Sequence, residues 1–289
     1  MKKSASQKYC NNTGGGFKIA GDLDPSHDLT AVGGVSAFAR SIGSLFEEIR
    51  PKRLIETGTY LGMGTTAIIA SALKELVRAG HVADPIFYSI EVNPQNYERA
   101  RENLKASGLI DYVKPLLGLS VPRDILPSIE EIERLFVKNI CDSGDGVPEI
   151  CENNEPGHKD IAHNDIGHKD IAHAGIFVDH REDERASLYY GETNFPDTGD
   201  DLLGKCLADF DYRPDFVLLD SAGHLGYVEF TYLVSRLRGD CYVALDDVYH
   251  VKHYGSLIKL KQDGRFTILV ESREKFGFCI ARFSPGFSS

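Results

Sequence analysis

Val35, Phe38, Ile42, Leu45, Phe46 and Ile49 recur at steps of three and four residues, and Pro51 stands just beyond them. This spacing predicts a helix with one apolar face. After it the pattern changes to short apolar runs separated by longer amphipathic ones. "RLIET" reads as a strand, and "TTAIIASALKELVRAG" as a helix closed by Gly80. "PIFYSIE" is a second strand, and "NPQNYERARENLKASG" a helix entered at Pro94 and stopped at Gly108. "YVKPLLG" is a weaker third strand. Strands that are apolar throughout, rather than alternating, belong to a parallel sheet covered on both faces.

The alternation resumes with strand "DFVLLD" at 215–220, a helix from about Tyr227 to Leu237, strand "CYVALD" at 241–246 and a helix near "YGSLIKLKQDG". Two last strands, "FTILVES" and "FGFCIARF", flank a short charged turn and read as a hairpin, so the sheet ends with an antiparallel strand. The predicted fold class is α/β, a doubly wound and mostly parallel sheet of seven strands in one domain over 31–283. A polar, Gly-rich arm precedes it at 1–30, and 284–289 form a tail. An insertion over about 121–213 separates strands three and four. It holds a ten-residue direct repeat at 157–176, "GHKDIAHNDI" then "GHKDIAHAGI". The repeat's histidines, at 158, 163, 168 and 173, recur every five residues, which does not gather them on one helix face. A duplicated surface loop is favoured over a metal-binding tract.

Composition narrows the classes of partner. The 289-residue chain carries a net charge of −11 and has no basic patch, which disfavours a nucleic-acid partner. No apolar run is long enough to span a bilayer and no signal-peptide core is present, so a cytoplasmic protein is expected. The six cysteines form no CxxC pair and read as reduced thiols, several of them buried. Whether copies associate with one another is open.

The chemistry collects at strand ends. In "RLIETGTYLGMGTTAII" a carboxylate, Glu56, ends a strand two residues before Gly58, and Gly62 and Gly64 follow. The glycines let the chain turn sharply and let a ligand approach the main chain. The order G-x-x-x-G-x-G departs from the dinucleotide fingerprint G-x-G-x-x-G, and a pyrophosphate would be repelled by Glu56. A ligand with a cationic amino-acid end, such as S-adenosylmethionine, would be attracted. Glu91 ends the second strand, where an acid accepts ribose hydroxyls. Asp220 ends the fourth strand, and Asp246 with Asp247 end the fifth. Three carboxylates in one crevice repel one another unless a cation lies between them, and oxygen ligands suit Mg²⁺. The rival reading has Asp246 and Asp247 capping a helix and positioning substrate without metal. His224, four residues past Asp220, is a candidate general base, with His250 and His253 behind it.

"ETGTYLGMGTT" together with "YSIEVNP" resembles the first two motifs of class I S-adenosylmethionine-dependent methyltransferases, over roughly 35–120 and 213–283. The resemblance implies a Rossmann-like sheet. It also implies donor contacts at Glu56, Gly58, Gly62 and Glu91, with Thr57 and Thr59 as neighbours. The family often has an acid after the third strand, near the adenine; here "GLSVPRD" puts Ser120 at that point. The acids of the second half are similar to those of the metal-dependent O-methyltransferase branch, which implies a divalent ion on Asp220, Asp246 and Asp247. The activity implied is methyl transfer to a hydroxyl of a small molecule, perhaps a sugar or natural product. Arg181, Arg185, Tyr189 and Tyr190 of the insertion are expected to cover that acceptor. Two other readings stay open: a donor-binding protein without catalysis, and an oxidoreductase on the same architecture.

Overall fold

Ser36 caps the first helix, its hydroxyl accepting from the Ala39 N–H at 3.1 Å. That helix, α1, spans Ala37–Ile49 and ends in a left-handed Arg50 before Pro51. The computed structural model describes residues 36–128, 191, 193–221, 225–250, 252–274 and 276–286. The N-terminal arm, the ten-residue repeat, the expected acceptor cover at 181–190 and His224 lie outside these residues.

The elements then follow the predicted alternation: β1 (Arg53–Thr57), α2 (Thr65–Arg78), β2 (Ile86–Glu91), α3 (Pro94–Ala106) and β3 (Lys114–Leu117). Asn93 caps α3 through its side chain, with Pro94 in the first turn. The second half contributes α4 (Leu202–Asp209), β4 (Phe216–Leu219), α5 (Leu225–Val234), β5 (Cys241–Asp246), α6 (Tyr254–Gln262), β6 (Phe266–Ser272) and β7 (Phe278–Phe283). The chain expected to be insertion up to 213 thus holds the short helix α4, which leads into β4. The fifth helix starts and stops earlier than the expected Tyr227–Leu237. Its end tightens because Arg236 N–H bonds to Leu233 O, three residues back rather than four.

The seven strands lie in the order β3-β2-β1-β4-β5-β7-β6. The first five are parallel, and β7 runs antiparallel between β5 and β6. Edge strand β6 alternates exposed and half-buried positions, as a strand with one wet face must. The central strands β1 and β4 are buried almost throughout.

Each face of the sheet has its own core. Phe46, Leu73 and Leu104 from α1–α3 pack on Leu54, Phe87, Phe216 and Leu218. On the other face Leu207, Phe230, Leu233 and Leu257 from α4–α6 pack on Ile55, Val217, Leu219 and Val243. Cys206, Cys241 and Cys279 are free thiols buried among them. Among the described residues no helix is long and apolar enough to cross a membrane.

Candidate ligand-binding crevice

From β1 the chain crosses to β2 on one side, while β4 flanks β1 on the other. The carboxyl ends of β1 and β4 therefore open on a topological switch point, where open α/β sheets bind ligands. Successive residues of a strand face opposite ways, so the last two residues of β1 enter different environments.

Glu56 points toward the start of α2 and is fully buried. Thr66 Oγ1 and Ser89 Oγ each donate to its Oε2 at 2.6 Å, and Thr65 Oγ1 donates to Oε1 at 2.7 Å. Thr59 Oγ1 lies 2.6 Å from Ser89 Oγ and extends the chain of hydroxyls. Burial raises the Glu56 pKa to about 7, more than these hydroxyls can lower it. Thr57 faces the other way and donates to Glu229 Oε2 at 2.8 Å. Ser221 donates to Glu229 Oε1 at 2.7 Å, and Ser120 makes a short bond to the same oxygen. Glu229, on α5, is also fully buried, and burial again lifts its pKa to about 7 against the three hydroxyls. Of the predicted donor contacts, Glu56, Thr57, Thr59 and Ser120 thus have side chains engaged within the protein.

Gly58 turns with φ +85°, and its N–H bonds to Ile90 O at 2.9 Å. A Cβ there would meet Asp220 O at 2.4 Å, so only glycine lets the two strand tips approach this closely. Gly62 packs onto α3, where an added Cβ would stand 3.2 Å from the Ala100 and Leu104 side chains. Across the turn, Glu91 accepts from Tyr60 N–H at 2.6 Å and Asn93 N–H at 2.9 Å. Its pKa is raised by burial, which these main-chain donors oppose.

Asp220, Asp246 and Asp247 do converge: each offers a carboxylate oxygen within 4.8 Å of the others. Lys252 stands among them. Its Nζ lies 2.5 Å from Asp220 Oδ1 and 3.1 Å from Asp247 Oδ2, with only 5% of the side chain exposed. Burial pulls the Lys252 pKa down, but Asp220, Asp247 and Asp246 outweigh it and keep the ammonium charged. Burial raises Asp220; Lys252 opposes this and Asp247 adds to it. Asp246 is pushed well above its usual range by burial and then by its two acidic neighbours. Thr65 Oγ1, 3.0 Å from Asp220 Oδ2, links this cluster to Glu56; with one proton it serves one carboxylate at a time.

The donor chemistry of the three acids suits a hard cation. Lys252 already occupies one oxygen of Asp220 and one of Asp247, so an ion there would have to share the crevice with an ammonium.

Of the second-rank histidines, His253 is fully buried beside Gly226, its Nδ1 3.1 Å from Ser256 Oγ. Burial, then the Lys252 charge, holds its pKa well below the usual value, so it is neutral. His250 is half-buried, its ring 5.7 Å from that of Phe276. Sequence reasoning passed over Glu229 and Lys252. Glu229 had a signal, as the lone charge in the apolar helix "LGYVEFTYLV". Lys252 had a weaker one, as a single cation five residues after the acidic pair.

No protein-family model matches the chain, and no curated protein matches it. Among solved structures it is similar to an O-methyltransferase from Bacillus cereus in complex with SAH, at 11% identity and TM-score 0.43, over 91% of this chain and 83% of that one. It is similar to a putative O-methyltransferase from Klebsiella pneumoniae at 14% and 0.46, covering 90% and 83%. It is also similar to an O-methyltransferase from Streptomyces achromogenes involved in tomaymycin synthesis, in complex with SAM, at 14% and 0.43, covering 87% and 82%.

Proposed function

We propose that this chain transfers a methyl group from S-adenosylmethionine to a hydroxyl of a small molecule. The observation that carries the reading is the joining of the Gly58 turn to an acidic crevice: the turn backs directly onto Asp220, beside Asp246 and Asp247. Such a floor repels a pyrophosphate and attracts a cationic ligand. The cradle fits the donor. Gly58 leaves main chain bare where a side chain would collide, and Glu91, fixed by two N–H groups, keeps lone pairs for ribose hydroxyls. Glu56, enclosed under the loop, sets the start of α2 through its bonds to Thr65 and Thr66. When bound, S-adenosylmethionine supplies an electrophilic methyl on sulfur.

The residues of β4 and β5 act on the acceptor. Asp220 and Asp247 accept hydrogen bonds from its hydroxyl and orient the oxygen toward the donor side. His224 remains the proposed proton acceptor on sequence grounds. The acidic surface favours a small-molecule acceptor over a nucleic acid. Divalent-ion assistance is a second reading. It is favoured by the gathering of three carboxylates and opposed by the ammonium already lodged among them.

Titration calorimetry with S-adenosylhomocysteine and with NAD tests the donor assignment. Saturable binding of the first is expected, weakened about 10- to 100-fold in Glu91→Ala by loss of bonds to a charged acceptor, and lost in Gly58→Val. Saturation by NAD with no response to S-adenosylhomocysteine would overturn the reading in favour of an oxidoreductase.

A further inference from the structure

We propose that Lys252 is the resident cation of the acidic crevice, so that the carboxylates at the tips of β4 and β5 work without a divalent ion. The inference rests on the methyl-transfer reading for the site's purpose, but on the geometry alone for its charge. The Lys252 ammonium bridges Asp220 and Asp247, one from each strand tip, at 2.5 and 3.1 Å. It ties the two strand ends together, as a shared ion would.

The chain that delivers Lys252 is built to keep it there. Asp247 takes a left-handed conformation, φ +55°, directly after β5, which turns the main chain back toward the crevice. His250 N–H bonds to Asp247 O at 3.0 Å, and the N–H groups of His253 and Tyr254 bond to His250 O at 3.2 and 3.0 Å. The next residue, His253, is wedged against Gly226 at the start of α5, where even a methyl group would meet its ring at 2.7 Å. With its neighbour wedged in this way, the Lys252 backbone has little freedom, and the side chain is 5% exposed. Withdrawal of the ammonium into solvent would require this turn to open.

A lysine in this role differs from a metal in one functional respect. An ammonium donates hydrogen bonds and balances one charge, but it does not acidify a bound hydroxyl as a Lewis acid does. Lys252 is therefore a positioning residue for Asp220 and Asp247, and the acceptor's proton must leave to a protein base.

The test uses the full chain stripped with EDTA and titrated with Mn²⁺, read by electron paramagnetic resonance, with S-adenosylhomocysteine calorimetry on the same sample. The wild type is expected to bind no stoichiometric Mn²⁺, to melt at the same temperature with or without it, and to lose no methyl transfer in EDTA. Lys252→Ala frees Asp220 and Asp247 beside Asp246 and is expected to gain a Mn²⁺ site at least 10-fold tighter than any in the wild type. Adding Asp246→Asn to Lys252→Ala removes that site. If Lys252→Ala does not fold, the wild-type titration with Asp247→Asn as control decides alone. One Mn²⁺ bound tightly by the wild type and lost in Asp247→Asn overturns the proposal. Failure of S-adenosylhomocysteine to bind any of these proteins would sink the methyl-transfer reading while leaving the charge assignment to the Mn²⁺ result.

Discussion

Glu56 and Glu229 lie on opposite faces of the sheet, yet they are built alike. Each is fully enclosed, and each is held by three hydroxyls: Glu56 by two from the start of α2 and one from β2, Glu229 by three from the ends of strands and the loops that follow them. A short distance away, Asp220, Asp246 and Asp247 are treated differently, receiving an ammonium. The contrast follows from what each region must do. A buried acid that only ties neighbouring segments together can be satisfied by neutral donors and can keep its proton. Asp220 and Asp247, at two strand tips beside a third acid, instead share a buried ammonium that balances part of their charge.

The comparison breaks most visibly at Lys252. Lys252→Met leaves the half-buried Asp220 and Asp247 uncompensated and is expected to cost about 3 kcal/mol of stability, measured as a drop in the urea midpoint at neutral pH. Loss of much less would mean that the acids had protonated instead, and that the two regions differ less than their geometry suggests.

Next in size is a pH effect confined to the hydroxyl-held pair. Glu56 and Glu229 both have folded pKa values of about 7, above the ordinary 4.5. Below 4.5 both the folded and the unfolded chain hold these protons, and no difference arises. Between 4.5 and 7 only the folded chain holds them, so stability falls as pH rises, by up to about 3 kcal/mol per group, and levels off above 7. Glu229→Gln is expected to remove about half of that slope, leaving a protein more stable than the wild type at pH 8. Identical slopes in the two proteins would show that Glu229 is ionised throughout.

The smallest expected effect sharpens the boundary between the regions. Thr65 is the hydroxyl that Glu56 and Asp220 share. Thr65→Val keeps the shape and removes the proton, at a cost of about 1–3 kcal/mol for an acid left short of a donor. Thr66→Val, which touches Glu56 alone, should cost a similar amount in stability while leaving S-adenosylhomocysteine affinity nearer the wild-type value.

Much of this was legible in the sequence because it is local. Apolar strands alternating with amphipathic helices, the Pro94 start, the Gly80 and Gly108 stops and the closing hairpin predicted the sheet and the edge at which a ligand would lie. Acids at strand ends were readable too, since position on a strand places a residue without any partner being known. The partners were another matter. Thr57 meets Glu229 across 172 positions of chain, and Ser120 meets it across 109. Lys252 reaches Asp220 only because a left-handed residue and a wedged histidine turn the loop inward. Periodicity reports which face a residue takes, and that much the chain determined by itself. Which charge or hydroxyl waits on that face depends on distant segments packing together, and only the tertiary structure decided it.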